Sequence, residues 1–345
     1  MVRRIFRSFH FSPGRSASAV VVGCVVALCA VAAGLAPFYL RTRTSETVQA
    51  AISAPAPAVP APAGVAPAVG APVVPPPSAA PAIQPASFAL PPPPVGGLPN
   101  WRRLAVPAAA AEGRPTIAIM IDDMGLNRVQ SDRAVRLPAP LTLSWMPYAV
   151  NVTEQAAVGA AHGHETMLHM NMEALGRTDP GPDSLRTWLP AETNRTYLRQ
   201  ALDRLPLAVG LNQHEGSVAS LSVPLMDIVM GELKARGLLF VDSLTIPHSV
   251  ALGRAEANGV AGVARDVFID NSPDPAAIRG QLAVMEAIAR HAGHVIAIGH
   301  PRQTTMDVLG AYLPTVTTRG FVLWPVSATV AAENATPPAQ RHAAE

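Results

Sequence analysis

The feature that most constrains this chain is a series of eight short apolar segments, each ending in polar residues. They are Thr116–Ile121, Leu141–Trp145, Thr166–His169, Ala208–Leu211, Leu238–Val241, Val267–Ile269, Val295–Ile298 and Val322–Trp324. Between them, stretches such as Glu192–Leu205, Leu225–Arg236 and Pro275–His291 repeat apolar residues at helical spacing. Strands separated by helices predict a parallel sheet covered on both faces, and strands buried on both faces read as near-continuous apolar runs. The segments fall within residues 114–330, roughly 215 residues and so one domain's worth. The expectation is an α/β fold, a (β/α) barrel that is complete or incomplete (7–8 strands), with an open doubly wound sheet as the alternative.

The rest of the chain cannot build such a core. No charged residue occurs between Thr47 and Trp101, where Ala, Pro, Val and Gly dominate and prolines run at Pro75–Pro77 and Pro91–Pro94. A stretch with no periodic apolar face reads as an extended spacer at roughly 3 Å per residue, on the order of 150 Å if fully stretched. A Pro/Ala-rich linker is therefore placed at residues 41–113, and the Ala-rich residues 331–345 are read as a disordered tail. Ala17 to Leu40 form an uncharged, mainly apolar run long enough to span a bilayer as one helix. Arg3, Arg4, Arg7 and Arg15 precede it and Arg41 and Arg43 follow, which puts residues 1–16 in the cytoplasm and the main body outside. This predicts an inner-membrane anchor with the domain in the periplasm. The alternative is a signal peptide cleaved near Val31-Ala32-Ala33, which releases the domain to the same compartment.

Composition excludes several functions. The net charge of +2 and pI near 8.8 owe much to the arginines of the first 43 residues, and no basic stripe with interleaved aromatics follows, so nucleic acid is not an expected partner. The only cysteines, Cys24 and Cys29, lie in the apolar run, so the exported part has neither a Cys-based metal site nor a Cys nucleophile. Ser217 and Ser243 lack a nucleophile-elbow context. His162 and His164 fall in a helix-to-strand turn as surface or capping residues, His248 and His291 read as solvated, and Met167, Met170, Met172, Met226 and Met230 read as core filling.

In parallel α/β folds, chemistry gathers at the C-terminal ends of the strands. Here those ends supply Asp122-Asp123, His169 with Glu173, His214, Asp242-Ser243, Asp270-Asn271 and His300. A single strand-end Asp or His is commonly a helix cap, but six polar ends out of eight, three with histidine, point to a site. Carboxylate and imidazole without sulfur suit a divalent ion, zinc above all, in an open position. Such an ion lowers the pKa of water and polarises a carbonyl, a neighbouring carboxylate serves as base, and a histidine opposite serves as acid. Adjacent strand residues face opposite sides, so Asp122 and Asp123 act together only if the chain turns there, which Gly125 would allow.

Ile119-Met120-Ile121-Asp122-Asp123-Met124-Gly125 resembles the opening motif of the polysaccharide deacetylases, Gly163-His164-Glu165-Thr166-Met167-Leu168-His169 their second, and Ile296-Ala297-Ile298-Gly299-His300-Pro301 their last. Asn212-Gln213-His214-Glu215-Gly216-Ser217, Phe240-Val241-Asp242-Ser243 and Arg265-Asp266-Val267-Phe268-Ile269-Asp270-Asn271 are similar to the divergent branch of that family. The resemblance implies Asp122 as general base, Asp123 and His169 as metal ligands and His300 as catalytic acid. The second histidine of the second motif is replaced by Glu173. Four residues of strand span about 13 Å, so Glu173 joins only if the chain curls, and His214 is the better third ligand. The arginine-proline third motif is missing; Arg265 either orients a carboxylate in its place or pairs with Asp266. Asp242 and Asp270 are held as supporting residues. The expectation is a metal-dependent hydrolase removing N-acetyl or similar acyl groups from an envelope polysaccharide or glycan. The alternatives are a catalytically weak glycan- or envelope-binding barrel, and a metal-dependent hydrolase of another ester or amide.

Overall fold

A computed structural model describes residues 97–176 and 178–335. The apolar segment at 17–40, the linker up to residue 96 and the tail from 336 lie outside the described residues. Among the described residues no helix is long and apolar enough to cross a membrane.

Nine strands are described: β1 (Thr116–Met124), β2 (Thr142–Trp145), β3 (Glu165–Met172), β4 (Gly210–Glu215), β5 (Leu239–Asp242), β6 (Gly262–Ala264), β7 (Val267–Phe268), β8 (His294–Gly299) and β9 (Val322–Trp324). All pair in parallel, in the order β6-β5-β4-β3-β2-β1-β8-β7, with β9 against β1. The helices are α1 (Asn100–Leu104), α2 (Arg128–Val135), α3 (Val152–Ala161), α4 (Ala191–Arg204), α5 (Val223–Arg236), α6 (Ala251–Asn258), α7 (Pro275–Ala292), α8 (Gln303–Tyr312) and α9 (Val326–Ala335). Local signals set their ends. The Ser222 side chain accepts from Leu225 N to start α5, Asp274 accepts from Ala276 N to start α7, and left-handed Gly237 and Gly293 close the two helices.

The sheet curls until its edges meet. β6 and β7 are separated only by Arg265 and Asp266, yet β6 pairs with β5 at one edge and β7 with β8 at the other. Arg265 N donates to Asp242 O and Asp266 N to Ile296 O, so one short segment joins both edges and completes the ring. β6 was not among the expected strands, being three residues with a glycine and no apolar run.

Side-chain alternation sorts the core into two layers. Ile117, Ile119, Ile121, Phe240, Val295 and Ala297 face the helices with Leu198, Val229, Leu282 and Leu309. Ala118, Met120, Met167, Leu239, Val241, Ile296 and Ile298 fill the interior. Val326 and Val330 of α9 and Trp101 of α1 close the interior at the N-terminal end of the strands. Val326 N donates to Thr142 Oγ1 and Trp101 N to Gly237 O, both at that end. α1 thus lies within the stretch that composition placed in the linker. The five methionines are core residues, as expected. His164 is buried rather than at the surface: Leu141 N donates to its Nδ1 and its Nε2 meets Val135 O, tying α2 to β2. His162 meets Val158 O of its own helix, and His248 and His291 are exposed. At Gly210 a Cβ would lie 2.3 Å from Leu239 O, so glycine lets β4 and β5 approach.

Candidate metal centre

On β1 the interior positions are Ala118, Met120 and Asp122, and regular alternation would send Asp123 to the helix layer. It does not go there. Ile121 pairs with Leu143 and Met124 with Trp145, so β1 carries one extra residue against β2. Asp123 occupies the left-handed region, at φ +55. This bulge turns Asp123 to the side of Asp122. The turn falls two residues before Gly125, which is itself left-handed at φ +98.

The same alternation brings His169 from β3, Asn212 and His214 from β4, Ser243 after β5 and His300 after β8 to the mouth of the barrel. Asp123 Oδ1 lies 3.3 Å from His169 Nε2 and 2.9 Å from His214 Nδ1, and the two nitrogens are 3.2 Å apart. A tetrahedral ion with ligands at 2.0–2.1 Å would separate neighbouring ligand atoms by about 3.3 Å. Asp123 Oδ1 is buried, yet no donor among the described residues addresses it with good hydrogen-bond geometry. Three converging ligand-type atoms, with Asp123 Oδ1 left without a hydrogen-bond partner, fit a cation, and these are the only described residues grouped in this way.

A second layer fixes the first. His169 Nδ1 lies 3.1 Å from Asn212 Oδ1, which also accepts from Ser144 Oγ. Donation from Nδ1 to this carbonyl leaves Nε2 with its lone pair toward the cluster, the tautomer a ligand requires. Asn212 Nδ2 donates to both oxygens of Asp122, each at 3.0 Å, and to Ser243 Oγ at 3.0 Å. Asp270 Oδ1 accepts from His300 Nδ1 at 2.9 Å, while its Oδ2 accepts from His300 N and Thr305 Oγ1, both at 2.8 Å. His300 Nε2 is thereby left without a hydrogen-bond partner among the described residues.

Burial pushes the Asp122 carboxyl above its ordinary value, with Asp123 adding to the effect and His169 and His300 opposing it. Burial would raise Asp123 also, but His169 and His214 outweigh it and hold that carboxyl far below the usual range. His169 is opposed by burial and raised on balance by Asp122 and Asp123. His300 is likewise opposed by burial and raised on balance, chiefly by Asp270.

The remaining sequence candidates lie elsewhere. The Glu173 carboxylate turns to Thr187, accepting from its N and Oγ1 at 2.6 Å each. Asp242 has the opposite parity to Ser243 and faces outward, accepting from Gln213 Nε2, Leu244 N and Ser249 Oγ. Arg265 neither bonds Asp122 nor pairs with Asp266, whose Oδ2 accepts from Ile296 N; it donates to the carbonyls of Ser243 and Leu244. Asn212 had no role assigned from sequence. Its interior parity, shared with His214 two residues on, was the signal that could have marked it.

The chain thus combines a curled parallel sheet with a bulged Asp-Asp pair and strand-end histidines. The pattern of the divergent polysaccharide deacetylases matches residues 119–330, and the chain belongs to that family. It is 33% identical over 193 residues to the uncharacterized protein YibQ of Escherichia coli (strain K12), a span covering 56% of this chain and 60% of that protein. It is 30% identical over 197 residues to an uncharacterized protein of Haemophilus influenzae, covering 57% of this chain and 70% of that one. The similarity thus spans about three fifths of the Escherichia coli relative's length. Among solved structures, the uncharacterized protein ATU2773 from Agrobacterium tumefaciens C58 superposes with a TM-score of 0.65 at 27% identity, covering 68% of this chain and 96% of that one.

Proposed function

We propose that this chain is a metal-dependent hydrolase that removes N-acetyl or similar acyl groups from an envelope polysaccharide or glycan. Asp123, His169 and His214 would hold a divalent ion, zinc being the best match to one carboxylate and two imidazoles. The observation that carries the reading is the convergence of Asp123 Oδ1, His169 Nε2 and His214 Nδ1 within 3.3 Å of one another. When bound, the ion supplies Lewis acidity toward water and the acyl carbonyl. Asp122, aimed by Asn212, takes the proton of the attacking water. His300, held by Asp270 through Nδ1, delivers a proton from Nε2 to the departing amine. Export of the domain through the segment at 17–40, to a periplasmic site on or near the membrane, is part of the proposal and rests on the apolar run and its flanking arginines.

The test is metal content together with turnover. The purified full chain is expected to carry about one divalent ion per molecule and to release acetate from chitooligosaccharide or peptidoglycan fragments, and Asp123→Ala to abolish both. A chain without stoichiometric metal, whose measured properties are indifferent to Asp123→Ala, would sink the reading. One observation favours a second reading, a binding barrel of weak activity. Asp122 is buried against a neutral amide, and burial favours its protonated form, which cannot act as a base. Ion binding with no acetate release from any fragment would select it.

A further inference from the structure

Arg265 occupies the two-residue joint between β6 and β7, where the ring closes. Its Nε donates to Ser243 O at 2.8 Å and its Nη2 to Leu244 O at 3.1 Å. The guanidinium lies 3.8 Å from the centroid of Phe268, and the Phe268 ring is stacked on His300 at 6.1 Å with a 22° tilt. Two residues on from His300, Arg302 donates through Nη1 to Asp270 O at 2.7 Å. Every one of these acceptors is a neutral carbonyl. They orient the two guanidinium groups without discharging them.

Several surface arginines meet acids, as Arg199 with Glu232, Arg236 with Asp203, Arg254 with Asp227 and Arg319 with Glu286, whereas others, such as Arg204 on Pro147 O, do not. Among the described residues no carboxylate forms an ion pair with Arg265 or Arg302. Asp266, next in sequence to Arg265, is occupied by Ile296 N, and Asp122 by Asn212. The Arg265 guanidinium keeps Nη1 and one Nη2 hydrogen uncommitted, and a planar fork stacked on an aromatic ring is suited to bidentate capture of a carboxylate or phosphate.

We propose that Arg265 and Arg302 form an anion-recognition element beside His300, so that the substrate carries a carboxylate or phosphate close to the group on which His300 acts. The cleavage rests on the hydrolase reading above; the anion preference does not. A purely structural role for Arg265, stapling the β6–β7 joint to the chain after β5, would give no preference among ligands.

The test is calorimetric titration of the full chain with three probes: N-acetylglucosamine (neutral), N-acetylmuramic acid (carboxylate) and N-acetylglucosamine 6-phosphate (phosphate). At least one anionic probe is expected to bind about tenfold or more tightly than the neutral sugar. Which one does so tells carboxylate from phosphate. Arg265→Gln and Arg302→Gln are each expected to erode that advantage and leave the neutral affinity unchanged. Arg302 is exposed and bonds only a carbonyl, so its variant serves if Arg265→Gln fails to fold. Equal affinity for the three probes, no measurable binding of either anion, or a preference surviving substitution overturns the inference, whether or not acetate is released. Anion preference without acetate release overturns only the hydrolase reading.

Discussion

Asn212 holds Asp122 by both carboxylate oxygens, donating from Nδ2 at 3.0 Å to each. Its other end takes His169 Nδ1 at 3.1 Å, so one amide aims the proposed base and sets the tautomer of a proposed ligand. Truncation to Asn212→Ala is expected to weaken ion affinity by about 10- to 100-fold, the usual loss when such a support is removed. Competition against a chelator measures this. Wild-type affinity in the variant would mean that His169 is oriented without the amide.

The two adjacent acids should separate on substitution. Asp122→Asn is expected to retain the ion while acetate release falls about 10²- to 10⁴-fold, as for loss of a general base. Asp123→Asn should lose ion and activity together. Metal analysis beside acetate assays resolves the two, and identical behaviour of both variants would remove the distinction between base and ligand.

Ion affinity should fall in acid. Burial opposes the charge on His169, yet Asp122 and Asp123 prevail and raise it above the ordinary imidazole value. An ion must displace that proton. Affinity is therefore full above the raised value and drops about tenfold per unit as pH falls through it, one proton being released on binding. Titrations in buffers of different ionisation enthalpy detect the proton; a flat affinity between about pH 5 and 8 would contradict the assignment.

Asp270→Asn should move the alkaline limb of the activity profile. Burial opposes a charge on His300, and the hydrogen bond and charge of Asp270 outweigh it to keep the proton on at higher pH. Without that charge the acid form is lost sooner, so the limb shifts to lower pH while the ion stays bound. A limb that stays in place would remove His300 as the acid.

Gly210→Ala tests the backbone rather than the site. Its Cβ would meet Leu239 O at 2.3 Å, and a backbone carbonyl in a paired strand cannot swing aside. The expected loss is about 3 kcal/mol, the upper end for overpacking. Denaturant unfolding would show it; a loss under about 1 kcal/mol would mean that β4 and β5 separate easily.

Much of this was legible in order along the chain. Continuous apolar runs between helical patterns marked the parallel sheet, and polar strand ends marked the mouth. Period-two alternation decides which polar residue points where, and it separates the outward Asp242 from the inward Asn212 and Ser243. Asp123 breaks that rule by a bulge, a choice of backbone path that an Asp-Met-Gly sequence permits without requiring. Glu173 could have joined only through a curl after His169, but its loop returns Thr187 to it, a contact fourteen positions away that no local pattern carries. Gly262–Ala264 escaped because a three-residue edge strand with a glycine, held by its pairing with β5 alone, carries no apolar run of its own.

The neighbours of β1 carry a consequence for biosynthesis. The strand bearing Asp122 and Asp123 emerges early in the domain, but it pairs with β8 and β9, and the barrel floor is closed by Val326 and Val330. These partners leave the ribosome last, so the ring cannot close co-translationally from its first half. Sequence-distant pairing of this kind slows folding and leaves strand edges open in the meantime. A nascent chain arrested before Val326 holds all five proposed active-site side chains but lacks the plug beneath them.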